Sequence, residues 1–596
     1  MTEPTSGGVV SSAIKVSGSA IPSSYQVHAI DIEQVINRIA NAKITLIDGD
    51  PSTETFAISA SATFVPGNEI TIELGYDGNN SLVFSGIVTK QALRIQADTG
   101  AMLEVECKDK AIKMTVGRKS AAFSQKTDSQ VITTLIGNAS GVTANVTSTA
   151  TQIEELVQYY TSDWDFVLAR AEVNSMLVST LNNTLSVFNP STDTTSVMTI
   201  TYGDNMLSFN ADLDSVTQLA QVKASAWDCQ TQKLINATAA NNLAGPGNLS
   251  SKTLSSVVGL SEYELQTSAN ETSDDLTAWA KAQMLKSELS KIIGEATFLG
   301  NTLVVPGKYV TLAGVGARFN GDYFVSAVRH SVSANANWIT EVGVGMSPDW
   351  FVATYDVVAP PASGLLPGIQ GLYNATVLKI DADPDNEYRI QVEVALFNDN
   401  GTGLWARLAN FYSSNGSGVF FLPEVGDEVI LGFLNQDPRF PVILGSMYSQ
   451  KNKPFSSYTP NAKNSLKGII TPTELQIKFD DGNTALSLIT KNGNTVVLDD
   501  KNKQIKLAEP NSNSIIMSDS GIEIKSAKSI TLTADQSVTI KGTQGVNIQA
   551  PSGTVATKGM SITETADTEY SAKGNATASV QGGTELTLKA AMVMIN

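Results

Sequence analysis

The chain is poor in the residues that carry most metal and nucleophilic chemistry. Its 596 residues include two cysteines and two histidines. Two cysteines do not make a disulfide framework, and no Cys/His pattern has the spacing of zinc ligands. His28 and His330 lie far apart, so each is predicted to be a structural or exposed histidine. The sequence therefore predicts no catalytic residue, no metal and no cofactor.

Charge is also scarce, and its balance is acidic. Charged residues make up 16% of the chain, with 40 Lys and Arg against 58 Asp and Glu, a formal net charge of −18. Because no basic surface is available to neutralise phosphates, we expect no nucleic-acid binding. No apolar run has the length of a membrane-spanning helix, and Met1–Gly8 does not resemble the start of a signal peptide. We expect assembly in the cytoplasm of the producer cell.

Short apolar triplets followed by turn residues dominate the last hundred residues. Strands this short must stack on neighbours to bury their apolar positions, so the repeat predicts a long, narrow β rod. Four consecutive triplets have a spacing of eight residues, and they start at Ile522, Ile530, Val538 and Val546.

Composition divides the chain into three zones. The first mixes strands with helices, which helical periodicity and capping residues predict at Asp128–Ile136, Asp163–Val173 and Leu276–Ile293. The second has five short strands, as a small barrel requires. The predicted boundaries are 1–358 for the mixed zone, 359–368 for a linker, 369–450 for the barrel, 451–474 for a second linker and 475–596 for the rod.

One acidic segment in the barrel zone has a superficial likeness to a calcium loop. The run Asp381–Glu387 contains three aspartates, but Asn386 stands at the turn-glycine position and Val392 at the position of the bidentate glutamate. The segment is therefore predicted to be a solvated hairpin turn.

The barrel zone also carries a recognisable motif. The run Phe421–Phe433 resembles the P-x-x-G-D-E-V-x-V-x-F signature of VgrG-type spike proteins, and Asp437–Tyr448 is similar to the segment that follows it in that family. Turn chemistry explains the motif, because proline and glycine bend the chain and an aspartate can accept hydrogen bonds from its own backbone. The residues predicted to carry this structural role are Pro423, Gly426, Asp427, Asp437, Pro438 and Gly445.

Other segments extend the resemblance over nearly the whole chain. Ile369–Val377 and Trp405–Leu408 resemble further strands of the same barrel. Tyr160–Arg170 is similar to a helix start in tail-hub domains, although Thr161 replaces an acidic residue, and Phe123–Ile132 is similar to the preceding hub segment. The zones therefore follow the order of that family, which is hub, small barrel and needle.

The resemblance implies a mainly β fold, with α+β tail-hub domains that contain β-barrels, a small OB-like barrel, and a C-terminal trimeric β-helix or β-prism. It implies a non-enzymatic homotrimer that meets a hexameric inner tube and baseplate proteins, and that can carry effector cargo. On firing, such a spike crosses a target membrane. A PAAR-repeat tip protein is expected on the apolar C-terminal end, which consists of Met592, Val593, Met594, Ile595 and Asn596.

Two other functions remain open from the sequence. A β-helical tailspike that degrades polysaccharide is also acidic and rich in threonine and glycine, although it uses longer turns than the eight-residue repeat found here. A passive tail adhesin would explain the rod but not the barrel motif. The sequence does not distinguish a type VI secretion system from an extracellular contractile particle or a phage tail.

Overall fold

The computed structural model describes residues 8–98, 100–228, 231–241, 245–269, 271–334, 337–354, 357–397 and 402–595. The chain forms two compact units, Met1–Gly445 and Ser446–Asn596.

The first unit begins with a run of antiparallel strands. In β4, Ala42, Ile44 and Leu46 are buried and alternate with less buried residues, because successive side chains of a strand point to opposite faces. The inward residues of these strands build one hydrophobic core, which includes Phe64 and Phe84. The strands are β1 (Val10–Val16), β2 (Ser19–Ala20), β3 (Val27–Val35), β4 (Asn41–Ile47), β5 (Glu69–Tyr76), β6 (Asn79–Gln96) and β7 (Gly100–Lys108).

A mixed segment follows, in which two helices share a core with a three-stranded sheet. The predicted helix Asp163–Val173 is confirmed at both ends. The predicted helix at Asp128 is also confirmed. Its N-cap is Thr127, which forms a capping box with Gln130. The elements are β8 (Lys119–Thr127), α1 (Asp128–Gly137), β9 (Thr143–Val146), β10 (Gln152–Thr161), α2 (Asp163–Val173), β11 (Leu177–Leu181) and β12 (Thr184–Phe188).

The next segment returns to the large sheet. The helix predicted to reach Ile293 ends at Leu289, because Ile292 already pairs with Leu213 in the neighbouring strand. The elements are β13 (Ser196–Thr201), β14 (Met206–Leu213), β15 (Gln221–Asp228), β16 (Lys233–Ala240), α3 (Ser251–Val258), β17 (Tyr263–Thr267), α4 (Ser273–Leu289), β18 (Ile292–Leu299), β19 (Tyr309–Ala313), β20 (Gly321–Ser333), β21 (Trp338–Val344) and α5 (Phe351–Thr354).

Six of these strands and the first seven form one 13-stranded sheet, whereas β15, β16 and β17 form a separate three-stranded sheet. The order of the 13-stranded sheet is β14-β18-β21-β20-β3-β4-β7-β6-β5-β1-β2, with β19 also paired to β20 and β13 to β19. The β20–β3 pairing joins the early strands to the late ones. A separate core lies on the late strands, around Phe298, Tyr323 and Val342. The barrels expected within 1–358 are thus represented by a continuous sheet with two cores.

The predicted small OB-like barrel is confirmed. Five strands close in the order β22-β23-β24-β28-β27 around a core that includes Val392, Val429 and Leu431. Asp381–Glu387 lies in the β22–β23 hairpin turn, as predicted. The strands are β22 (Tyr373–Lys379), β23 (Ile390–Glu393), β24 (Leu404–Leu408), β25 (Ser413–Ser414), β26 (Ser417–Gly418), β27 (Glu428–Phe433) and β28 (Pro441–Ser446).

The second unit contains a seven-stranded antiparallel meander. Its first strand lies inside the predicted linker 451–474, because Leu466–Ile470 pairs along its full length with Gln476–Asp480. After Lys525 the described residues contain no strand. The strands are β29 (Leu466–Ile470), β30 (Gln476–Asp480), β31 (Ala485–Ile489), β32 (Thr495–Asp499), β33 (Gln504–Ala508), β34 (Ser514–Ser518) and β35 (Gly521–Lys525).

Within the described part of the chain, no helix combines the length and hydrophobicity needed to cross a membrane.

Candidate functional site: the barrel turns and the C-terminal repeat

The first half of the barrel motif is a turn that is closed by its own side chain. Asp427 accepts a hydrogen bond from the Glu424 N–H at 2.9 Å and donates its own N–H to the Glu424 carbonyl at 3.0 Å. Gly426 has a φ of +90°, which favours glycine, and its N–H donates to the Val377 carbonyl at 2.8 Å. Pro423 is buried beside this turn. The motif therefore fixes the start of β27 against β22.

The second half of the motif is a turn built on an ion pair. The nearly buried Asp437 carboxylate accepts from the Arg439 N–H at 3.0 Å, from Nε at 3.0 Å and from Nη2 at 2.7 Å. The Arg439 guanidinium holds the pKa of Asp437 below its usual range. Pro438 lies within the same turn, and Gly445 lies in β28. Both halves of the motif use their carboxylates to close turns.

A third carboxylate organises the β22–β23 turn. Asp383 accepts from the backbone N–H groups of Asp385, Glu387 and Arg389, and from the Arg389 Nη2 at 2.7 Å. The Arg389 side chain, followed by these backbone donors, holds the pKa of Asp383 well below its usual range. Arg389 also pairs with Asp385. An arginine therefore occupies the centre that a calcium ion would need.

The side chains of His330 and Lys291 are almost fully buried, and both have hydrogen-bond partners. His330 lies with its Nδ1 at 3.0 Å from the Thr340 hydroxyl, and burial lowers its pKa to about 4. Lys291 donates to the carbonyls of Pro246 at 2.6 Å and Leu249 at 3.2 Å, and burial lowers its pKa to about 8. Sequence reasoning missed Lys291, because it placed that residue in the helix Leu276–Ile293.

No three His, Cys, Asp or Glu side chains are grouped to hold a metal ion in the described ranges. Of the predicted barrel residues, Asp427 and Asp437 each close a turn, and Gly445 lies in a strand.

The eight-residue repeat continues far beyond the four predicted triplets. After β35, two-residue bends recur at 527–528, 535–536, 543–544, 567–568, 575–576 and 583–584. A three-residue turn lies at 551–553, and single bends lie at 560 and 591. The apolar residues between the bends keep the same spacing and are exposed in the single chain. Seven of these apolar residues lie a multiple of eight positions after Ile522, the start of the first triplet. They are Ile530, Val538, Val546, Ile562, Tyr570, Leu586 and Met594.

The predicted C-terminal platform is apolar and uncovered in the single chain. Met592, Val593, Met594 and Ile595 are all exposed. Asn596, the fifth predicted residue, lies outside the described residues.

Three family models match successive parts of the chain. The Alg8 N-terminal domain model matches residues 6–334, which is more than half of the chain. The type VI secretion system/phage-baseplate injector OB domain matches residues 373–448, which contain the closed barrel. The phage baseplate V C-terminal trimerisation domain matches residues 486–544, which contain the last strands of the meander and the start of the repeat.

Individual proteins are similar over different lengths. The type VI secretion system spike protein VgrG5 of Pseudomonas aeruginosa is 36% identical over 55 residues, which is 9% of this chain, and the chain spans 7% of that relative's length. A 43 kDa tail protein of prophage MuSo2 from Shewanella oneidensis is 11% identical, with a TM-score of 0.43 over 57% of this chain and 98% of the other. A type VI secretion component from E. coli is 14% identical, with a TM-score of 0.39 over 73% and 99%.

The three family models follow one another in the order of the structural zones. The N-terminal model covers most of the large sheet and its insertions, and the OB model covers the barrel that carries the spike motif. The trimerisation model covers the last strands of the meander and the start of the repeat. The chain therefore belongs to the Alg8 N-terminal domain family, and with the injector OB and baseplate trimerisation domains that follow, it is a VgrG-type spike protein.

Proposed function

We propose that this protein is the homotrimeric spike of a contractile injection machine. The observation that carries the proposal is the exposed apolar repeat, which has no strand pairing after Lys525 in the described residues. Extended segments with free backbone edges and exposed apolar rows are stable only when other strands cover them. Three copies are proposed because residues 486–544 match a baseplate trimerisation domain.

Light scattering coupled to size-exclusion chromatography of the full chain tests this proposal. We expect a mass three times the chain mass of 63.1 kDa. The trimer should also resist SDS at room temperature, because closing three strands into a prism leaves few edges at which unfolding can begin. A monomeric mass at micromolar concentration would overturn the proposal.

The exposed C-terminal residues support a tip partner. Three copies of Met592, Val593, Met594 and Ile595 would form an apolar surface at the end of a prism, and apolar patches of this kind serve as interaction sites. We propose that a PAAR-repeat protein binds there. Binding of a purified PAAR-repeat protein to the full chain should be lost when these four residues are replaced by serine, and it should survive Lys589→Ser. Equal binding by both variants would contradict the assignment.

The large sheet of residues 8–354 is proposed to meet the inner tube and the baseplate. Its support is the match of residues 6–334 to the N-terminal family model, which stands before the OB domain of an injector. The full chain should co-sediment with assembled tube protein and not with tube protein kept as separate rings by high salt. Delivery of the fired particle into a target cell follows as the expected role. Absence of co-sedimentation would overturn this part of the proposal.

A structural role without catalysis is part of the proposal. Asp383 and Asp437, two strongly paired barrel carboxylates, close turns with arginines and are not presented to a substrate. The full chain should neither cleave bacterial surface polysaccharides nor transfer sugars from nucleotide sugars. Either reaction, catalysed by protein taken from the trimer peak of size-exclusion chromatography, would show that this part of the proposal is wrong.

A further inference from the structure

The barrel carries a short hairpin with an unusual number of exposed aromatic side chains. Strands β25 and β26 pair with each other, and the Val419 N–H extends the ladder by donating to the Tyr412 carbonyl at 3.0 Å. We call residues 411–421 the aromatic hairpin. Its four aromatic side chains are exposed by 90% at Phe411, 53% at Tyr412, 79% at Phe420 and 55% at Phe421.

A second apolar surface lies on the outside of the same barrel. Val429 and Leu431 of β27 point inward, so Gly432 between Leu431 and Phe433 faces outward. A Cβ at Gly432 would lie 3.5 Å from Leu444 and 3.8 Å from Leu372, so these exposed leucines are neighbours. We call the surface formed by Leu372, Gly432, Leu434, Phe440 and Leu444 the leucine patch.

The leucine patch extends into the turn after β27. The Leu434 N–H donates to the Phe440 carbonyl at 3.1 Å, which ties the two ends of this turn together. Leu434 and Phe440 are both about half exposed. The barrel thus offers two different apolar surfaces, the aromatic hairpin and the leucine patch.

We propose that the aromatic hairpin of one copy packs on the leucine patch of the next copy around the trimer. The inference rests on the proposed homotrimer and adds to it a specific contact between barrels. Two different surfaces that meet head to tail close into a ring when the rotation is one third of a turn, whereas a self-complementary surface makes a pair. At these exposures the four aromatic side chains can bury roughly 400–700 Å² together, which approaches the roughly 800 Å² that each partner buries in a standard interface.

Chain connectivity favours a second copy as the occupant. The barrel ends at Ser446 and the next strand begins at Leu466, so residues 447–465 span at most roughly 65 Å when extended. The match to the trimerisation domain begins soon afterwards, at residue 486. Tethered barrels have an effective concentration on the order of millimolar, so even a weak contact between them forms.

Charge gives the copies no general attraction. Each chain has a formal net charge of −18, so bringing three together is opposed by repulsion. Burial of apolar side chains does not depend on charge, and it supplies the attraction that a contact between barrels needs.

Cross-linking between copies tests the proposed contact. Two full-length chains are co-expressed with Cys229→Ser in both, one tagged and carrying Phe411→Cys, the other untagged and carrying Leu372→Cys. Cys107 is buried, and burial raises its pKa to about 12, so it does not compete for a maleimide. A short bismaleimide should join tagged to untagged chains in most of the mixed trimers.

The matched control replaces Leu372→Cys with Tyr388→Cys, which is 89% exposed on the β22–β23 turn. This pair should cross-link at least tenfold less. Equal yields from both pairs, or efficient joining of two Phe411→Cys chains, would overturn the head-to-tail contact.

A second variant separates this inference from the trimer itself. Phe411→Ser with Phe420→Ser should leave the mass trimeric, because the C-terminal repeat still associates, and should lower the melting temperature of the barrel. An unchanged melting temperature with a trimeric mass would overturn the barrel contact alone. A monomeric mass of the unmodified chain would instead overturn the proposed function.

Discussion

The two compact units use similar strands but differ in what one copy can bury. In the first unit, the strand Asn41–Ile47 buries every second residue, and Ile44 is fully covered. In the second unit, Gln504–Ala508 has the same alternation and the same antiparallel pairing, yet Ile505 remains 40% exposed. No described residue of 446–595 is buried.

The difference lies in what covers the sheet. Every hydrophobic core cluster of the described chain lies between residues 14 and 443, where a second layer or a closed barrel covers the apolar face. The described residues of the second unit form no such layer over its meander. Strand pattern therefore specifies pairing, whereas burial depends on a covering surface that another copy can supply.

The largest effect is expected from polar substitutions in the exposed repeat. Val538→Asn with Ile540→Asn should remove SDS resistance, because each apolar side chain contributes about 2 kcal/mol when buried, and the two side chains in three copies contribute roughly 12 kcal/mol. Thr543→Asn with Gln544→Asn changes a neighbouring bend and should leave the trimer intact. Gel mobility without heating, together with light scattering, checks both variants. A stable trimer from the first variant would show that the repeat is not an interface.

A smaller effect is expected from a cavity in the first unit. Phe298→Ala should lower the free energy of unfolding of this unit by about 3–5 kcal/mol, because Phe298 is fully buried. Phe479→Ala, at a site that is 45% exposed in one copy, should leave the first unit's transition unchanged. Urea unfolding followed by tryptophan fluorescence checks this pair, since the six tryptophans all precede residue 446. A shift of that transition by Phe479→Ala would contradict the separation of the units.

Buried His330 should make the first unit sensitive to acid. Burial lowers its pKa to about 4, so the unfolded state binds a proton first as the pH falls. The stabilisation is complete above the unfolded pKa of about 6.5 and is lost between about pH 6.5 and pH 4, by about 3 kcal/mol in total. Unfolding free energies of the wild type and His330→Gln across this range check the prediction. An equal decrease of the unfolding free energy with falling pH in both proteins would show that other groups cause the acid sensitivity.

The smallest effect is expected at the barrel turn. The lowered pKa of Asp383 means that its stabilising contribution is present above the unfolded pKa of about 3.9 and is lost as the pH falls below that value. Asp383→Asn should lower the barrel's melting temperature at pH 7 and flatten its decline below pH 4. Asp385→Asn, at a more exposed carboxylate, should change both less. Calorimetry checks the ranking, and a larger effect at Asp385 would reverse it.

Local sequence signals predicted those elements whose ends are set by nearby residues. Capping and periodicity gave the helix Asp163–Val173 at both ends, and turn residues gave the barrel strands. The helix predicted through Ile293 was too long, since Ile292 pairs with Leu213 of a strand that is distant in sequence. The arginines that close the turns at Asp383 and Asp437 were not predicted, because periodicity does not report which side chain folds back onto a carboxylate.

The sequence by itself determined the zones of the chain, the eight-residue period of its C-terminal part and the turn chemistry of its barrel. Each of these depends on residues close to one another along the chain, whose preferences are local. Only the tertiary structure decided that early and late strands join in one sheet through β3 and β20, and that the aromatic hairpin and the leucine patch are both left exposed on one barrel. The pairing of β3 with β20 joins residues about 300 positions apart. It forms because burying the apolar faces of both strands together lowers the free energy more than any local preference does.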